Sequence, residues 1–416
     1  MKTILIISYH YFPEEGSCSE KNDRIVRNFL DNGYKVIVIT KGYLDYPEII
    51  DNDKCTIIRT KSNGIFHKVK GNLPKKCNES TLNFKRKISN SIIPDSVIDW
   101  FPSVKKLVIK YMKMIKICDC VFSISSPYSS HIISKWISKK IHKPLVLCYG
   151  DPWLYEGKRK KNKCRYLIEK QLEKSVIKYS NKILLITEIN KEKYMKLYDI
   201  NADKILTYNI GYDNIVCKKF FDSLPRANNK LKIIYGGSLD KVHRDPIPFL
   251  DAIKKIDFFE VNIYNNDNNE IKQVIAKNNL EQRVKLQELV PTDEFYKKMN
   301  EADILLLFGN KTPYQVPGKL FTYISSKKII LYIKNNNFEN DGTEAILRDY
   351  KNSIIVDNNI REIYKGLQQI LKRTDEFSTN ICIDKFEFHN TMKSIINAVE
   401  EVCKKEKDEN EKRKLY

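Results

Sequence analysis

The chain has 416 residues, with 42% hydrophobic and 30% charged side chains, which excludes global disorder and favours two domains. Its formal net charge of +21 suits nucleic acid, an anionic membrane surface or phosphorylated substrates, or reflects only a lysine-rich composition. The ten cysteines are scattered without a Cys-x-x-Cys motif, which argues against zinc and disulfide frameworks and favours a reducing cytoplasm. No apolar run reaches the ~18 residues that span a bilayer.

The N-terminal half begins with a strand, a loop and a helix. Residues 3–8 are an apolar run typical of a buried parallel strand, and no small-residue cleavage site follows, which argues against a signal peptide. The loop 9–19 contains Glu14 and Gly16, and residues 35–40 form the second strand. This pattern predicts a βαβ unit with its ligand-side loop at 9–19, although the G-x-G-x-x-G dinucleotide fingerprint is absent.

Residues 41–100 are polar and rich in turn residues, and they predict only short strands. The next stretch has apolar residues at helical spacing with lysines on another side, which fits a core helix or a basic helix at a membrane surface. The apolar positions are Val104, Leu107, Val108, Tyr111, Met112 and Ile115, and the lysines are Lys105, Lys106, Lys110, Lys113 and Lys116.

Two further strands end in polar loops. The strand 120–125 is followed by a loop that contains Tyr128 and His131, and the strand 145–149 is followed by Gly150 and Asp151. A polar residue at the carboxyl end of a strand lies on the ligand side of the sheet. Asp151 is therefore a candidate site residue or an Asx turn before a proline, and His131 is a site residue or a satisfied helix-start histidine.

The C-terminal half restarts the α/β pattern. The strand 231–235 leads into a turn with Gly237 and Ser238, and Arg244 follows before the next helix. Small residues let a phosphate approach the backbone, and an arginine can bind it with two hydrogen bonds. Gly-Gly turns after strands are also common without any ligand.

A second loop of the C-terminal half also directly follows an apolar strand. The apolar strand 304–308 is followed by a polar loop that includes Gln315, and Gly318 and Lys319 open a short helix before the strand 328–333. This is a right-handed crossover with its loop at the carboxyl end of the strand. The free N–H groups at the helix start and the lysine predict an anion site, against the alternative of an ordinary connecting loop.

Taken together, these motifs resemble GT-B glycosyltransferases of the family 4 type, in a branch common in bacterial surface-polysaccharide synthesis. The matching segments are SYHYFPEEGS at 8–17, ISSPYSSH at 124–131, GDPW at 150–153, NIGYD at 209–213, GGSL…HRDP at 236–246 and VPGKLFTYI at 316–324. The resemblance covers both halves and is weakest over residues 41–100. It implies an α/β fold with two Rossmann-like domains, 1–212 and 213–388, that face a central cleft. It also implies that the last segment, a terminal helix and basic tail over 389–416, packs back across the two domains.

The resemblance also implies that the C-terminal domain binds a nucleotide-sugar. Arg244 matches the family's donor-phosphate residue, and Lys319 matches its Pro-x-Lys loop, whereas Ser238 replaces a second basic residue. The family's paired glutamates would fall at Tyr314 and Thr322, so the ribose must be bound otherwise or weakly. The predicted donor-binding residues are Gly237, Ser238, Arg244, Gln315, Gly318, Lys319 and Thr322.

On the acceptor side, Asp151 matches the aspartate of an Asp-Pro-Trp motif. Asp151, His131 and Glu14 are the predicted catalytic residues, which would orient the acceptor hydroxyl or take its proton unless the departing phosphate does. Gly16 and Tyr128 are predicted in the acceptor-side loops. The family retains anomeric configuration without a metal, so neither a metal nor another cofactor is expected.

The predicted activity is hexosyl transfer from a nucleotide-sugar to a glycan or polyprenyl-linked acceptor, by a cytoplasmic protein that binds peripherally to the inner membrane face. A nucleotide-sugar epimerase and a non-catalytic assembly protein remain as alternatives. Nucleic-acid binding is not expected, because the basic residues are spread along the chain and no nucleic-acid-binding motif occurs. The sequence does not identify the sugar, the nucleotide, the acceptor, the linkage or the oligomeric state.

Overall fold

We describe the chain from a computed structural model. The described residues are 1–61, 91–155, 161–221, 230–239, 244–265, 269–335, 338–339, 341–373, 377 and 381–414. They form two compact units, one of residues 1–209 with 392–416 and one of residues 210–391. Part of the polar region 41–100, and residues 240–243 of the Gly-Gly motif, lie outside the described residues.

The first unit is built on an eight-stranded sheet in the order β3-β4-β2-β1-β5-β6-β7-β8. The strands are parallel except β3, which pairs antiparallel with β4. Its central strands are buried along their whole length, as expected when helices cover both faces. The strands are β1 (Thr3–Ile7), β2 (Lys35–Thr40), β3 (Ile49–Asp51), β4 (Cys55–Arg59), β5 (Cys120–Ser125), β6 (Leu145–Tyr149), β7 (Lys182–Leu185) and β8 (Ile205–Thr207).

Helices connect these strands and supply the rest of the core. On one face, Phe29 of the first helix packs edge-on against Phe122 of β5, with ring centroids 5.2 Å apart. A short 3-10 helix, Ser96–Trp100, precedes the second helix and buries Trp100. The helices are α1 (Ser17–Asp31), α2 (Phe101–Lys110), α3 (Met112–Ile115), α4 (Ser129–Ile141), α5 (Lys163–Tyr179) and α6 (Glu188–Tyr198).

The lysine-rich stretch after residue 100 is a core element. Its apolar positions Val104, Leu107, Val108 and Ile115 are at most 5% exposed, and the helix is interrupted at Tyr111. These four side chains are therefore not available to a membrane surface, whereas Ile109 and Ile117 of the same stretch are 66% and 65% exposed. The membrane-surface interpretation of the stretch stays a prediction. The lysines lie on the solvent side of a helix whose apolar side is used by the core.

The terminal helix returns to the first unit. Helix α15 (Lys393–Lys414) packs against β5, β7 and β8 of the first sheet. Glu401 Oε2 lies 2.8 Å from Nζ of the buried Lys182 on β7, and Tyr34 Oη donates to Glu400 at 3.3 Å. The apolar side of this helix thus covers the first sheet after the chain has passed through the second unit.

The second unit contains a six-stranded parallel sheet in the order β11-β10-β9-β12-β13-β14. Its strands are β9 (Leu231–Gly236), β10 (Phe259–Tyr264), β11 (Val284–Gln287), β12 (Ile304–Phe308), β13 (Ile329–Lys334) and β14 (Ser353–Asp357). Its helices are α7 (Asn214–Phe220), α8 (Ile247–Ile253), α9 (Asn269–Lys277), α10 (Thr292–Asn300), α11 (Lys319–Ser325), α12 (Gly342–Leu347), α13 (Ile360–Lys372) and α14 (Phe388–Thr391).

Strand order fixes where each sheet can bind a ligand. In the first sheet β2 pairs with one side of β1 and β5 pairs with the other side, so the order of the strands reverses between β1 and β5. In the second sheet the order reverses in the same way between β9 and β12. Open α/β sheets bind ligands at such switch points, beyond the carboxyl ends of the strands. The relevant loops are therefore those after β1 and β5 in the first unit and after β9 and β12 in the second.

In the part of the chain that the structure describes, no helix is both long enough and apolar enough to cross a bilayer.

Candidate functional site

In the second unit, the Gly-Gly turn after β9 makes room for a lysine. Gly237 has a φ of +136°, and a Cβ built on it would lie 2.6 Å from Nζ of Lys319. Any side chain at this position would meet both a strained backbone and that amine. The absence of a side chain at Gly237 therefore leaves room for the Lys319 amine at the end of β9.

Lys319 is the first residue of α11 and is partly exposed. Its Nζ donates to the backbone carbonyl of Gly236 and lies 4.1 Å from the centre of the Tyr235 ring. Burial of the amine, and then the positive charge of Arg244, hold the pKa of Lys319 well below its ordinary value. An anion placed against this amine would favour its charged form.

Arg244 approaches the same point from the turn before α8. Its Nη1 donates to Ser238 Oγ and its Nη2 to Asn310 Oδ1, both at 3.3 Å, so the guanidinium joins the loops after β9 and β12. Both partners are neutral, and their distances lie at the long end of the hydrogen-bond range. The guanidinium therefore keeps donors for a ligand that binds more strongly.

Arg244 and Lys319 lie at the same edge of the second sheet, and neither has a carboxylate partner among the described residues. Among the described residues, neither Arg244 nor Lys319 forms an ion pair with an acid, although both lie at the switch point of the second sheet. Two adjacent positive groups that are partly removed from water repel each other unless an anion is bound. This edge of the second sheet is therefore a candidate oxyanion site.

The remaining predicted donor residues differ in their exposure to solvent. Ser238 is exposed and already accepts from Arg244, Gly318 is exposed, Thr322 is half-buried and Gln315 is buried. Helix α11 has only seven residues, so its amino end contributes little, and the side chains carry the anion site. The roles of Gln315, Gly318 and Thr322 stay predictions.

In the first unit, Glu14 lies in the loop after β1. Its Oε2 is 2.6 Å from His10 Nδ1, and its Oε1 accepts from Lys41 Nζ at 2.7 Å. Burial alone would raise its pKa, but hydrogen bonds and charge from His10 and Lys41 prevail and lower the pKa to about 2. Glu14 is therefore an ionised carboxylate held by two partners, which makes it a weak proton acceptor.

Gly16 takes a conformation that suits glycine. It is exposed, has a φ of +121° and is the residue at which α1 begins, without a side-chain cap. A loop that turns sharply here leaves the first amides of α1 open at the ligand edge of the sheet.

His131 and Tyr128 are packed inside the first unit. The His131 ring is fully buried, its Nδ1 is 2.8 Å from Ser123 Oγ, and burial followed by the charge of Lys21 lowers its pKa to about 3. Tyr128 is 2% exposed, stacks on Trp153 and donates its hydroxyl to the carbonyl of Pro152. In this conformation neither side chain reaches solvent, which does not suit the predicted roles of His131 as a base and Tyr128 as a substrate contact.

Asp151 keeps the placement that the sequence predicts. It follows β6 directly, at the carboxyl edge of the first sheet, and its side chain is half-buried. Unlike the fully buried His131, Asp151 keeps partial contact with solvent. Its role in the reaction stays a prediction.

A carboxylate from the polar region before α2 orders the loop after β5. Asp95 is 4% exposed and accepts from Tyr128 N at 2.8 Å, Ser129 N at 3.1 Å and Ser129 Oγ at 2.6 Å, while it also caps its own 3-10 helix through Val97 N. The amino end of α4 is thus already occupied by an internal anion. These hydrogen bonds hold Tyr128 and Ser129 in their buried positions.

We expect Asp95→Ala to destabilise the first unit by about 3 kcal/mol, because it leaves several buried donors without an acceptor. All three tryptophans lie in the first unit, so tryptophan fluorescence in a urea titration measures that unit selectively. Asp53→Ala removes an exposed aspartate and should change stability by at most about 0.5 kcal/mol. Equal stability of the two variants would show that the Asp95 hydrogen bonds are dispensable.

Sequence reasoning missed one side chain at this edge. Lys21 lies in α1 and is only 6% exposed, and its Nζ donates to the carbonyl of Ser125 at 2.9 Å. The signal was available, because Lys21 stands four and eight residues before Ile25 and Phe29, on the buried stripe of the helix. A lysine on the apolar stripe of a helix predicts that its ammonium group is buried in the folded protein.

The fold is shared with solved structures of low sequence identity. A glycosyltransferase from Rickettsia africae has a TM-score of 0.64 and 13% identity, covering 96% of this chain and 98% of that chain. HepE from Anabaena, solved with UDP and glucose, has a TM-score of 0.58 and 11% identity over 99% and 100% of the two chains. A Listeria monocytogenes protein assigned as a UDP-N-acetylglucosamine 2-epimerase has a TM-score of 0.57 and 11% identity over 99% and 98%.

No protein-family model matches the chain, and no curated protein sequence matches it. The structural similarity establishes two Rossmann-like units of the GT-B type. At these sequence identities it establishes the fold alone, so the reaction has to be argued from the residues.

Proposed function

We propose that the chain is a glycosyltransferase that moves a sugar from a nucleotide-diphosphate sugar to a glycan or polyprenyl-linked acceptor. The observation that carries this proposal is the pair Arg244 and Lys319, two cations without a carboxylate partner in the described residues, at the switch point of the second sheet. The complex of HepE, a protein of the same fold, with UDP and glucose supports a nucleotide-sugar ligand.

The chemistry follows from where charge develops. The bond between the sugar C1 and the β-phosphate oxygen breaks, the bond between C1 and the acceptor oxygen forms, and negative charge collects on the departing diphosphate. Arg244 and Lys319 would stabilise that charge, which lowers the barrier without any cofactor. Positive side chains that the fold holds in a partly buried site interact more strongly with this negative charge than flexible side chains in water would.

The acceptor hydroxyl must lose its proton as the new bond forms. With retention of configuration, the departing phosphate oxygen can take that proton on the same face of the sugar. Asp151, at the edge of the first sheet, would orient the hydroxyl or receive the proton. Glu14, with its pKa near 2, is better suited to hold His10 and Lys41 in place than to act as a base.

The finer assignments follow the sequence resemblance. They are hexose as the transferred sugar, capsule or O-antigen synthesis as the pathway, and the cytoplasm or inner membrane face as the location. A lipid-linked acceptor requires contact with the membrane, which the buried Val104, Leu107 and Val108 of α2 do not provide.

Isothermal titration calorimetry of the full chain against UDP-, GDP- and dTDP-sugars tests the proposal. We expect one class to bind in the micromolar range typical of enzyme substrates and to transfer its sugar when a crude lipid-linked acceptor fraction is added. Absence of binding to any nucleotide-sugar would overturn the proposal and would favour a non-catalytic assembly protein.

A nucleotide-sugar epimerase is the second candidate, because the Listeria protein of the same fold is assigned that activity. The two functions differ in their need for an acceptor. Incubation with the nucleotide-sugar alone, followed by chromatography of the sugar, separates them. An epimerised sugar in the absence of acceptor would identify the epimerase.

We expect transfer to continue in excess chelator, because Arg244 and Lys319 supply the positive charge that a divalent cation supplies in metal-dependent enzymes. Within the described ranges, no three His, Cys, Asp or Glu side chains are grouped as metal ligands. The measurement is the initial rate with and without EDTA, with a metal-dependent glycosyltransferase as the positive control. Loss of activity that manganese or magnesium restores would contradict the metal-free mechanism.

A further inference from the structure

The ammonium group of Lys21 lies at the switch point of the first sheet. Its side chain is 6% exposed, and its hydrogen bond goes to the carbonyl of Ser125 at the end of β5. A Cβ on Gly150 would lie 2.5 Å from this Nζ and 2.9 Å from the same carbonyl. The missing side chain of Gly150, at the end of β6, therefore leaves the space that the ammonium occupies.

This ammonium has no acid partner among the described residues. Glu14, in the loop after β1, is already bound to His10 and Lys41, and no ion pair joins Lys21 to Asp151 or to any other described acid. A buried charge that is balanced only by a backbone carbonyl is costly. A water molecule could complete its hydrogen bonds but could not balance its charge.

Other buried polar atoms at the end of β5 and in the first turn of α4 also lack partners. Within the described part of the chain, Ser125 Oγ, Ser130 Oγ and His131 Nε2 are buried without a hydrogen bond. Ser125 and Ser123 share one face of β5, and the His131 ring is bound to Ser123. The lowering of the His131 pKa by the charge of Lys21 agrees with the closeness of the two groups.

We propose that Lys21 and these orphaned hydroxyls form an oxyanion subsite for a phosphate or carboxylate group on the acceptor. The identity of the ligand as acceptor rests on the proposed function, in which Arg244 and Lys319 of the second unit bind the diphosphate of the donor. The charge at Lys21 is then available to the other substrate. An uncharged glycan would leave the ammonium without a counter-ion, whereas a phospho-sugar, lipid phosphate or uronic acid supplies one.

The experiment isolates this subsite from the donor site. In a full-length Arg244→Ala/Lys319→Ala background, unfolding of the first unit is followed by tryptophan fluorescence as inorganic phosphate, glucuronate or neutral glucose is added. Phosphate or glucuronate should stabilise the first unit and glucose should not. Adding Lys21→Met should weaken anion binding about ten- to a hundredfold, and adding Lys35→Met, which removes an exposed lysine of the same unit, should not.

A second readout separates a binding role from a structural role. Without any anion, Lys21→Met should leave the first unit equally or more stable, because it replaces an uncompensated buried charge by an apolar side chain of similar length. Gly150→Ala keeps the lysine but pushes its ammonium aside, so it should also weaken anion binding. Stabilisation by phosphate alone identifies a phosphorylated acceptor, and stabilisation by glucuronate alone identifies an acidic sugar.

Three results would overturn the proposal: destabilisation by Lys21→Met in the absence of anion, anion binding unchanged by Lys21→Met, or an equal effect of glucose. Wild-type binding of a nucleotide-sugar is measured separately. If it is present and the anion effect is absent, the subsite is wrong while the proposed function stands. If nucleotide-sugar binding is absent and anions still act through Lys21, the first unit has an oxyanion site in a protein of another function, and the assignment to an acceptor is wrong.

Discussion

Replacing Arg244 or Lys319 by alanine should lower turnover about 10²- to 10³-fold, the loss expected when one group that stabilises developing charge is removed. Both side chains approach the end of β9, and both lack an acid partner in the described residues. The fold should survive, because each side chain is partly exposed and neither belongs to the apolar core. The measurement is the initial rate at saturating acceptor, with kcat and KM determined for the donor.

The matched control is Lys285→Ala, which removes one positive charge from an exposed position on β11 of the same sheet. It should keep wild-type kinetics, so a loss in the site variants cannot be attributed to net charge. Arg244→Lys adds a finer test, since a lysine retains the charge but not the paired donors of a guanidinium. Wild-type turnover in both alanine variants would remove these residues from the mechanism.

The position of these residues at the edge of the second sheet could be predicted because its signals are local. Arg244 stands eight residues after the end of β9 and Lys319 eleven residues after the end of β12. Gly237 follows β9 directly, in the same loop as Arg244. The sequence reasoning placed all three on the ligand side of a parallel sheet. It could not predict that Gly237 and Lys319 touch, because that contact joins two loops separated by three helices and three strands.

The site residues of the first unit were harder to predict, because contacts with residues far away in the sequence determine which side chains are buried. Tyr128 and His131 stand in a polar loop after a strand, which is where site residues usually occur. The structure buries them because Asp95, 33 residues away from Tyr128, caps the start of α4 and draws the loop inward. Asp95 itself comes from the polar region 41–100, where the sequence pattern gave little information about structure.

The lowered pKa of Lys319 has a consequence for stability. In the unfolded chain Lys319 has the ordinary lysine pKa of about 10.4, and in the folded chain its pKa is lower. At any pH between these two pKa values the unfolded chain binds more protons than the folded chain does. The free energy of unfolding should therefore rise with pH across that window. Lys319→Met removes this contribution, so its stability relative to the wild type should be highest at low pH and should decline as pH increases.

The same group should make donor binding take up a proton. Burial, and then Arg244, lower the pKa of Lys319 in the free protein, whereas a bound diphosphate favours the ammonium and raises that pKa. Between the two values affinity should fall by up to about tenfold for each unit of pH increase. Calorimetry in two buffers of different ionisation enthalpy counts the protons taken up, and we expect uptake at a pH between the two pKa values and none at a pH below both.

Lys319→Arg is the decisive comparison for this proton, because a guanidinium stays charged in both states and should bind the donor without uptake. Lys285→Ala leaves the site intact and should keep the wild-type proton count. Donor binding by the wild type with no proton uptake at any pH would show that Lys319 is already charged in the free protein. The amine would then act as a fixed charge, and the lowering of its pKa by burial and Arg244 would be wrong.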